Sequence, residues 1–335
     1  EAEDIDAVYE DIDNDGDLDL LVASGGYEFS DASLNLANRI YVNDGYGNFA
    51  KSSEVFPGKL GSTSCIALND FDNDGDKDIF IGGRVVPLSY GIPASSYLLK
   101  NNGKGGFEDV TNLIAPKLQN LGMVTDAAWI DFDNDGDKDL FICGEWMPIT
   151  VFRNDGESFS EVTEELGLMN TNGFWNSIEM ADLDNDGDMD IVAGNIGLNT
   201  KLKASKEKPV SMYINDFDGN GKIDHIITTF EEDKAYPLAT KDEITRQMPY
   251  LLKKYLKHHD FKEKTVEDIF TPDQLANSLK LNVFETASKF FINENDYFTP
   301  KDLPLKAQLS PIYGILIKDI DNDGFKDIIL GGNQF

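Results

Sequence analysis

Residues 11–19 read DIDNDGDLD, and the same phrase returns as DFDNDGDKD at 70–78 and 131–139, DLDNDGDMD at 182–190, DFDGNGKID at 216–224 and DIDNDGFKD at 319–327. Carboxylates this dense on so short a loop repel one another unless a cation sits among them. Six copies also imply a fold built from similar units.

Comparison of the copies assigns roles. Positions one, three and five hold Asp11, Asp13 and Asp15 in the first copy, then Asp70, Asp72 and Asp74, then Asp131, Asp133 and Asp135. The later copies have Asp182, Asp184 and Asp186, then Asp216, Asp218 and Asn220, then Asp319, Asp321 and Asp323. Position six is always glycine, which lets the loop fold back. Position seven is Asp17, Asp76, Asp137, Asp188, Lys222 or Phe325. Lysine and phenylalanine cannot ligate through their side chains, so a backbone carbonyl is expected there. Position nine is Asp19, Asp78, Asp139, Asp190, Asp224 or Asp327, expected to close the ring of ligands.

Hard oxygen donors in flexible number suit Ca²⁺ better than Mg²⁺, which demands a near-ideal octahedron and keeps its waters. Three histidines and two cysteines without ligand spacing leave no zinc site. Up to six Ca²⁺ are expected, with the fifth site weakest because Asn220 and Lys222 reduce its negative charge.

The loops are not EF-hands. Position twelve, where an EF-hand closes with an acid, is Val22, Ile81, Ile142, Ala193, Ile227 or Leu330. Apolar, β-branched runs precede and follow each loop, so each loop joins two buried strands. Hairpins with turn residues follow at RIYVNDGYGNFAKSS, SYLLKNNGKGGFEDV, ITVFRNDGESFSEV and KFFINENDYFTPKDL. Four strands per unit, with loops starting at 11, 70 and 131, predict an all-β propeller of four-stranded blades.

The calcium loops and flanking strands resemble the FG-GAP/VCBS repeats of integrin-type propellers over nearly the whole chain. The segments GEWMPI, PVSMYINDFDGNGKIDHI and SPIYGILIKDIDNDG resemble the bacterial ASPIC/UnbV-like group. The resemblance implies adhesion or ligand binding. A single propeller domain over 1–335 is expected, with six or seven blades in the intact protein. Its last blade is expected to be incomplete, the second strand of that unit being the last one legible.

The second half is irregular. Only 34 residues separate the loops at 182 and 216, too few for a four-stranded unit. Either the fourth blade is abbreviated or the fifth loop joins its outer strands. Residues 240–281 read as a helical insertion, with capping boxes at Thr240–Glu243 and Thr271–Gln274.

The formal net charge is −32, and 27 aspartates sit in the six motifs. Six divalent ions would leave −20. Nucleic-acid binding and membrane insertion are excluded as expectations, by charge and by the lack of a long apolar stretch. Millimolar extracellular calcium suits such sites, so secretion or surface display is expected, in the periplasm or at the outer surface if bacterial. Cys65 and Cys143 read as buried thiols.

Strand alternation places the chemistry that does not repeat on the face away from the metal loops. Six residues past the last motif aspartate stand Arg84, Glu145 and Asn333, with Asn195 one position earlier. Trp146 and Trp175 lie nearby. Aromatic beside polar groups suits a glycan or protein ligand. No nucleophile elbow, phosphate loop or zinc motif is present. The expected function is a non-enzymatic binding module, with a larger surface assembly among the expected partners. The alternative is a calcium-dependent polysaccharide lyase or hydrolase using Glu145 and Arg84.

Overall fold

A computed structural model describes residues 2–30, 33–53, 56–57 and 61–333. The chain builds a series of antiparallel sheets, as the repeats require. The first contains β1 (Glu3–Glu10), β2 (Asp19–Gly25), β3 (Arg39–Asn43) and β4 (Phe49–Lys51) in sequence order. The second contains β5 (Ser62–Asn69), β6 (Asp78–Val85), β7 (Tyr97–Asn101) and β8 (Phe107–Asp109). In the third, β9 (Met123–Ile130), β10 (Asp139–Met147), β11 (Thr150–Asn154) and β12 (Phe159–Glu161) are joined by the short β13 (Gly173–Phe174).

The fourth sheet begins with β14 (Ser177–Ala181) and β15 (Asp190–Gly194), and the chain then leaves it. An inserted sheet follows, made of β16 (Val210–Asn215), β17 (Asp224–Glu231), β18 (Lys234–Pro237) and β19 (Leu279–Val283). Only then do β20 (Lys289–Asn293) and β21 (Phe298–Asp302) complete the fourth sheet, with Ile191 opposite Phe291. The last sheet is the pair β22 (Ile312–Lys318) and β23 (Asp327–Gly332).

Neither expectation for the short spacing between the fourth and fifth loops holds. The fourth blade has all four strands, and the fifth loop joins the central strands of the inserted sheet. The segment 240–281 carries helices Lys241–Gln247, His258–Phe261, Val266–Ile269 and Pro272–Ala276, and its end runs into β19. Both expected capping boxes are present, with Thr240 accepting from the Glu243 N–H and Thr271 from the Gln274 N–H. The helices cover the inserted sheet through Phe217, Ile226, Ile244, Leu251 and Phe270.

The first strand of each main sheet packs beside the first strand of the next: β1 by β5, β5 by β9, β9 by β14 and β14 by β22. The core lies between consecutive sheets. Ile79 and Ile81 face the first sheet, whereas their neighbour Phe80 faces the third. Leu140 and Ile142 face the second, and Phe141 and Cys143 the fourth. Strands buried on both faces must be apolar at every position, hence the unbroken runs IFI and LFIC after the loops. This is a propeller-like, all-β architecture. Cys65 and Cys143 are buried and free.

Half-buried aspartates of the first strands also tie sheets together. Asp6 accepts from the Ile66 N–H at 2.9 Å, and Asp126 from the Ile178 N–H at 3.0 Å. Burial pushes the Asp126 carboxyl up to about 6, although these N–H donors pull it down. A raised carboxyl stabilises the fold below its ordinary pKa and loses that contribution as pH rises through 6. Measured against the parent, Asp126→Asn should therefore gain about 1–2 kcal/mol of stability between pH 4 and pH 7, whatever the fixed cost of turning an amide donor toward a backbone N–H. Paired urea melts of the two proteins across that range check this, and a pH-independent difference would refute it.

Candidate functional site

Each aspartate loop is shaped by its own side chains. Asp11 accepts from the Asp15 and Gly16 N–H groups at 3.1 and 3.0 Å, and Asp15 from the Asp17 N–H at 3.1 Å. The same bonds recur at Asp70, Asp182, Asp216 and Asp319. Position four adopts a left-handed backbone throughout: Asn14, Asn73, Asn134, Asn185 and Asn322 lie at φ +58 to +63, and Gly219 at φ +72. Asparagine and glycine are the residues that tolerate this conformation.

Carboxylate oxygens in these loops converge to distances that suit a metal ion. Such groups include Asp11, Asp13 and Asp15; Asp70, Asp72 and Asp78; Asp131, Asp133 and Asp139; Asp182, Asp184 and Asp190; and Asp216, Asp218 and Asp224. The donor set fits a hard cation. Asp13 Oδ1, Asp72 Oδ1, Asp131 Oδ1 and Asp133 Oδ1 are buried without a hydrogen-bond partner among the described residues. Burial, then the neighbouring Asp15 and Asp19 charges, hold the Asp13 carboxyl above the usual range. A cation would remove both penalties. In the second loop the Lys100 ammonium also pairs with Asp72 and, at 3.0 Å, with Asp74.

Position nine also fastens each loop to its sheet. Asp19, Asp78, Asp139 and Asp190 are almost fully buried. One oxygen of each accepts from the position-two N–H: Ile12, Phe71, Phe132 and Leu183. The other accepts from the N–H of Asn43, Asn101, Asn154 or Asn293, at the end of the third strand, at 2.8–2.9 Å. Burial pushes Asp78 and Asp139 up to about 7.

Those asparagines were legible only as turn residues, although the recurrence of Asn at the end of all four hairpins was the available signal. Asn101 and Asn154 also donate to Ile12 and Phe71 carbonyls in the preceding unit's loop, at 3.0 and 2.8 Å. Position-four asparagines reach the other way, Asn14 to Asp76 and Asn73 to Asp137, both at 2.8 Å. The loops of neighbouring sheets are thus stitched together at one end of the strands.

At the opposite end is a cavity of about 520 Å³ lined from four of the main sheets and from the turn just before β14, by Ile5, Tyr27, Ser64, Arg84, Glu145, Asn176 and Tyr313 among others. Arg84 Nη2 donates to Glu145 Oε1 at 2.8 Å, and the Tyr90 hydroxyl donates to Glu145 Oε2 at 2.5 Å. Trp146 Nε1 donates to the Tyr90 oxygen at 3.0 Å. Burial and the Glu145 charge push the Tyr90 hydroxyl well above its ordinary pKa. The inserted sheet buttresses this wall: His225 Nε2 lies 2.6 Å from the Tyr90 carbonyl. Gly91, at φ +83, lets the chain pass close, since a Cβ there would lie 2.4 Å from Ile214.

Of the residues singled out on this face, the structure brings Arg84 and Glu145 together and sets Trp146 behind them, buried against Phe174. Trp175 is fully buried between the third and fourth sheets, its Nε1 donating to the Thr171 carbonyl at 2.8 Å. Asn195 is also buried; its Oδ1 accepts from Phe174 and its Nδ2 donates to the Glu285 carbonyl. Asn333 is exposed beyond β23 and does not line the cavity. The sequence did not single out Tyr27, Tyr90, Asn176 or Tyr313, which come from loops or from the starts of strands.

Fold and loops together define an all-β protein assembled from repeated four-stranded sheets with acidic loops. A family model of FG-GAP-like repeats matches residues 11–81 and 131–193. No curated protein matches the chain. Among solved structures, it is similar to an Agrocybe aegerita lectin described as recognising non-reducing terminal N-acetylglucosamine. That likeness has 15% identity, covers 97% of this chain and 85% of that one, and has a TM-score of 0.34. It is also similar to the V. cholerae biofilm matrix protein Bap1, at 11% identity, 97% and 76% coverage and a TM-score of 0.31. Neither likeness is strong enough to bear on fold or ligand. No helix among the described residues is long and apolar enough to cross a membrane.

Proposed function

We propose that this protein is a calcium-stabilised extracellular propeller module that binds a protein or glycan ligand in the axial cavity. The observation that carries this reading is the division of labour between the two ends of the strands. Acidic loops, already tied to one another, occupy one end, whereas side chains from four sheets and a neighbouring turn converge on an open cavity at the other. Calcium fits the all-oxygen donors and the orphaned carboxylate oxygens, and its role is to hold strands and sheets together. Secretion or surface display, as one part of a larger assembly, follows from sites of extracellular type.

Glu145 suits positioning better than acid–base work. Each of its oxygens already accepts a hydrogen bond, one from Arg84 and one from Tyr90, which holds the carboxylate in place. Arrays of glycans and pull-downs of proteins, each with and without EGTA, test the reading; calcium-dependent capture is expected. Incubation with polysaccharides should give no product that is lost in Glu145→Gln. Product dependent on Glu145 would replace the binding module with an enzyme.

A further inference from the structure

We propose that the axial cavity is a saccharide site that recognises a neutral sugar through its acceptor oxygens; this rests on the binding reading above. The internal pairs of the cavity are closed, since Glu145 is shared between Arg84 and Tyr90. Two donors remain. Arg84 Nη1 and Asn176 Nδ2 are both buried without a hydrogen-bond partner among the described residues, and both residues line the cavity. A buried N–H left unpaired costs about 1–3 kcal/mol, so a wall holding two of them favours a ligand that supplies acceptors.

Charge narrows the class. The Arg84 guanidinium is already balanced by Glu145 at 2.8 Å. The chain carries −32, or −20 with six divalent ions, and that field disfavours carboxylated or sulfated ligands. Hydroxyl, ring and acyl oxygens of a neutral sugar match the free donors without adding charge. Tyr27 and Tyr313, 43% and 58% exposed, supply aromatic walls of the kind that pack against sugar rings. The floor is held in a strained state: Trp146, directly after Glu145, sits at φ +63, where a bulky residue is an outlier. Such strain persists where surrounding structure fixes it, and here it keeps the indole N–H on Tyr90.

The test uses the full chain in calcium with neutral cello-, malto-, manno- and chito-oligosaccharides, oligogalacturonate and sulfated oligosaccharides on one array. Calorimetry then follows on the best binder. A neutral oligosaccharide should bind, and Asn176→Ala should weaken it about tenfold, the equivalent of one hydrogen bond. The same variant should melt at or above the parent temperature, because it removes an unpaired donor. Tyr313→Ala, at an exposed position, should also weaken binding without loss of fold. Three outcomes overturn the proposal while leaving the module intact: selective binding of acidic sugars, capture of proteins only, or sugar binding insensitive to both variants. Absence of any glycan or protein ligand overturns the module as well.

Discussion

Chelation with EGTA should lower the melting temperature by about 10 °C or more, and Ca²⁺ should restore it whereas Mg²⁺ should not. The size follows from linkage. At free calcium tenfold above the dissociation constant, each site that binds only the native state adds about 1.4 kcal/mol. Six loops would then supply about 8 kcal/mol, comparable with the whole stability of many domains. Without the ion, the orphaned oxygens of Asp13, Asp72, Asp131 and Asp133 stay buried and unpaired. The repulsion among 27 motif aspartates also returns. A calcium titration of the melt should show a weak last component from the loop at 216–224, where Asn220 and Lys222 replace acids. Differential scanning fluorimetry with and without chelator settles the matter, and an unchanged midpoint would remove calcium from the structural account.

The loops, the strands beside them and the four hairpins were legible because their signals are local. An aspartate every second residue, a glycine at the turn and an apolar run buried on both faces need no tertiary information. The inserted sheet was not legible for the complementary reason. The pairing of Ile191 with Phe291 spans a hundred residues, and nothing in the run DIVAG says that its next partner comes after β19 rather than at once. The strand patterns of β16 and β17 are those of any other unit, so a loop inside the insertion counts in sequence as one more blade. Trp175 and Asn195 show a similar limit. Their spacing puts them near the ligand face, but Trp175 fills the space between two sheets and Asn195 satisfies backbone groups around β15. Arg84 and Glu145 were found because equal offsets from equal loops put residues at equal heights around the axis.

Asp139→Ala should destabilise the fold by about 2–5 kcal/mol, and most of that loss should persist in EGTA. Asp139 is fully buried, and its two oxygens accept from the Phe132 N–H at 3.2 Å and the Asn154 N–H at 2.9 Å. Truncation leaves both N–H groups buried and unpaired, at about 1–3 kcal/mol each. It also unties the metal loop from β11, which in turn reaches the preceding loop through Asn154 and Phe71. Asp137→Ala, two residues away, removes only an acceptor for Asn73 and should cost less than about 1 kcal/mol in EGTA. Asp139→Asn should fall between, since it keeps one acceptor but turns an amide donor toward a backbone donor. Urea midpoints for the three variants, each in calcium and in EGTA, separate two roles for position nine. If Asp139 serves only the ion, its cost disappears with the ion. If it is a clamp between loop and sheet, as its two hydrogen bonds require, the cost remains when the ion is gone.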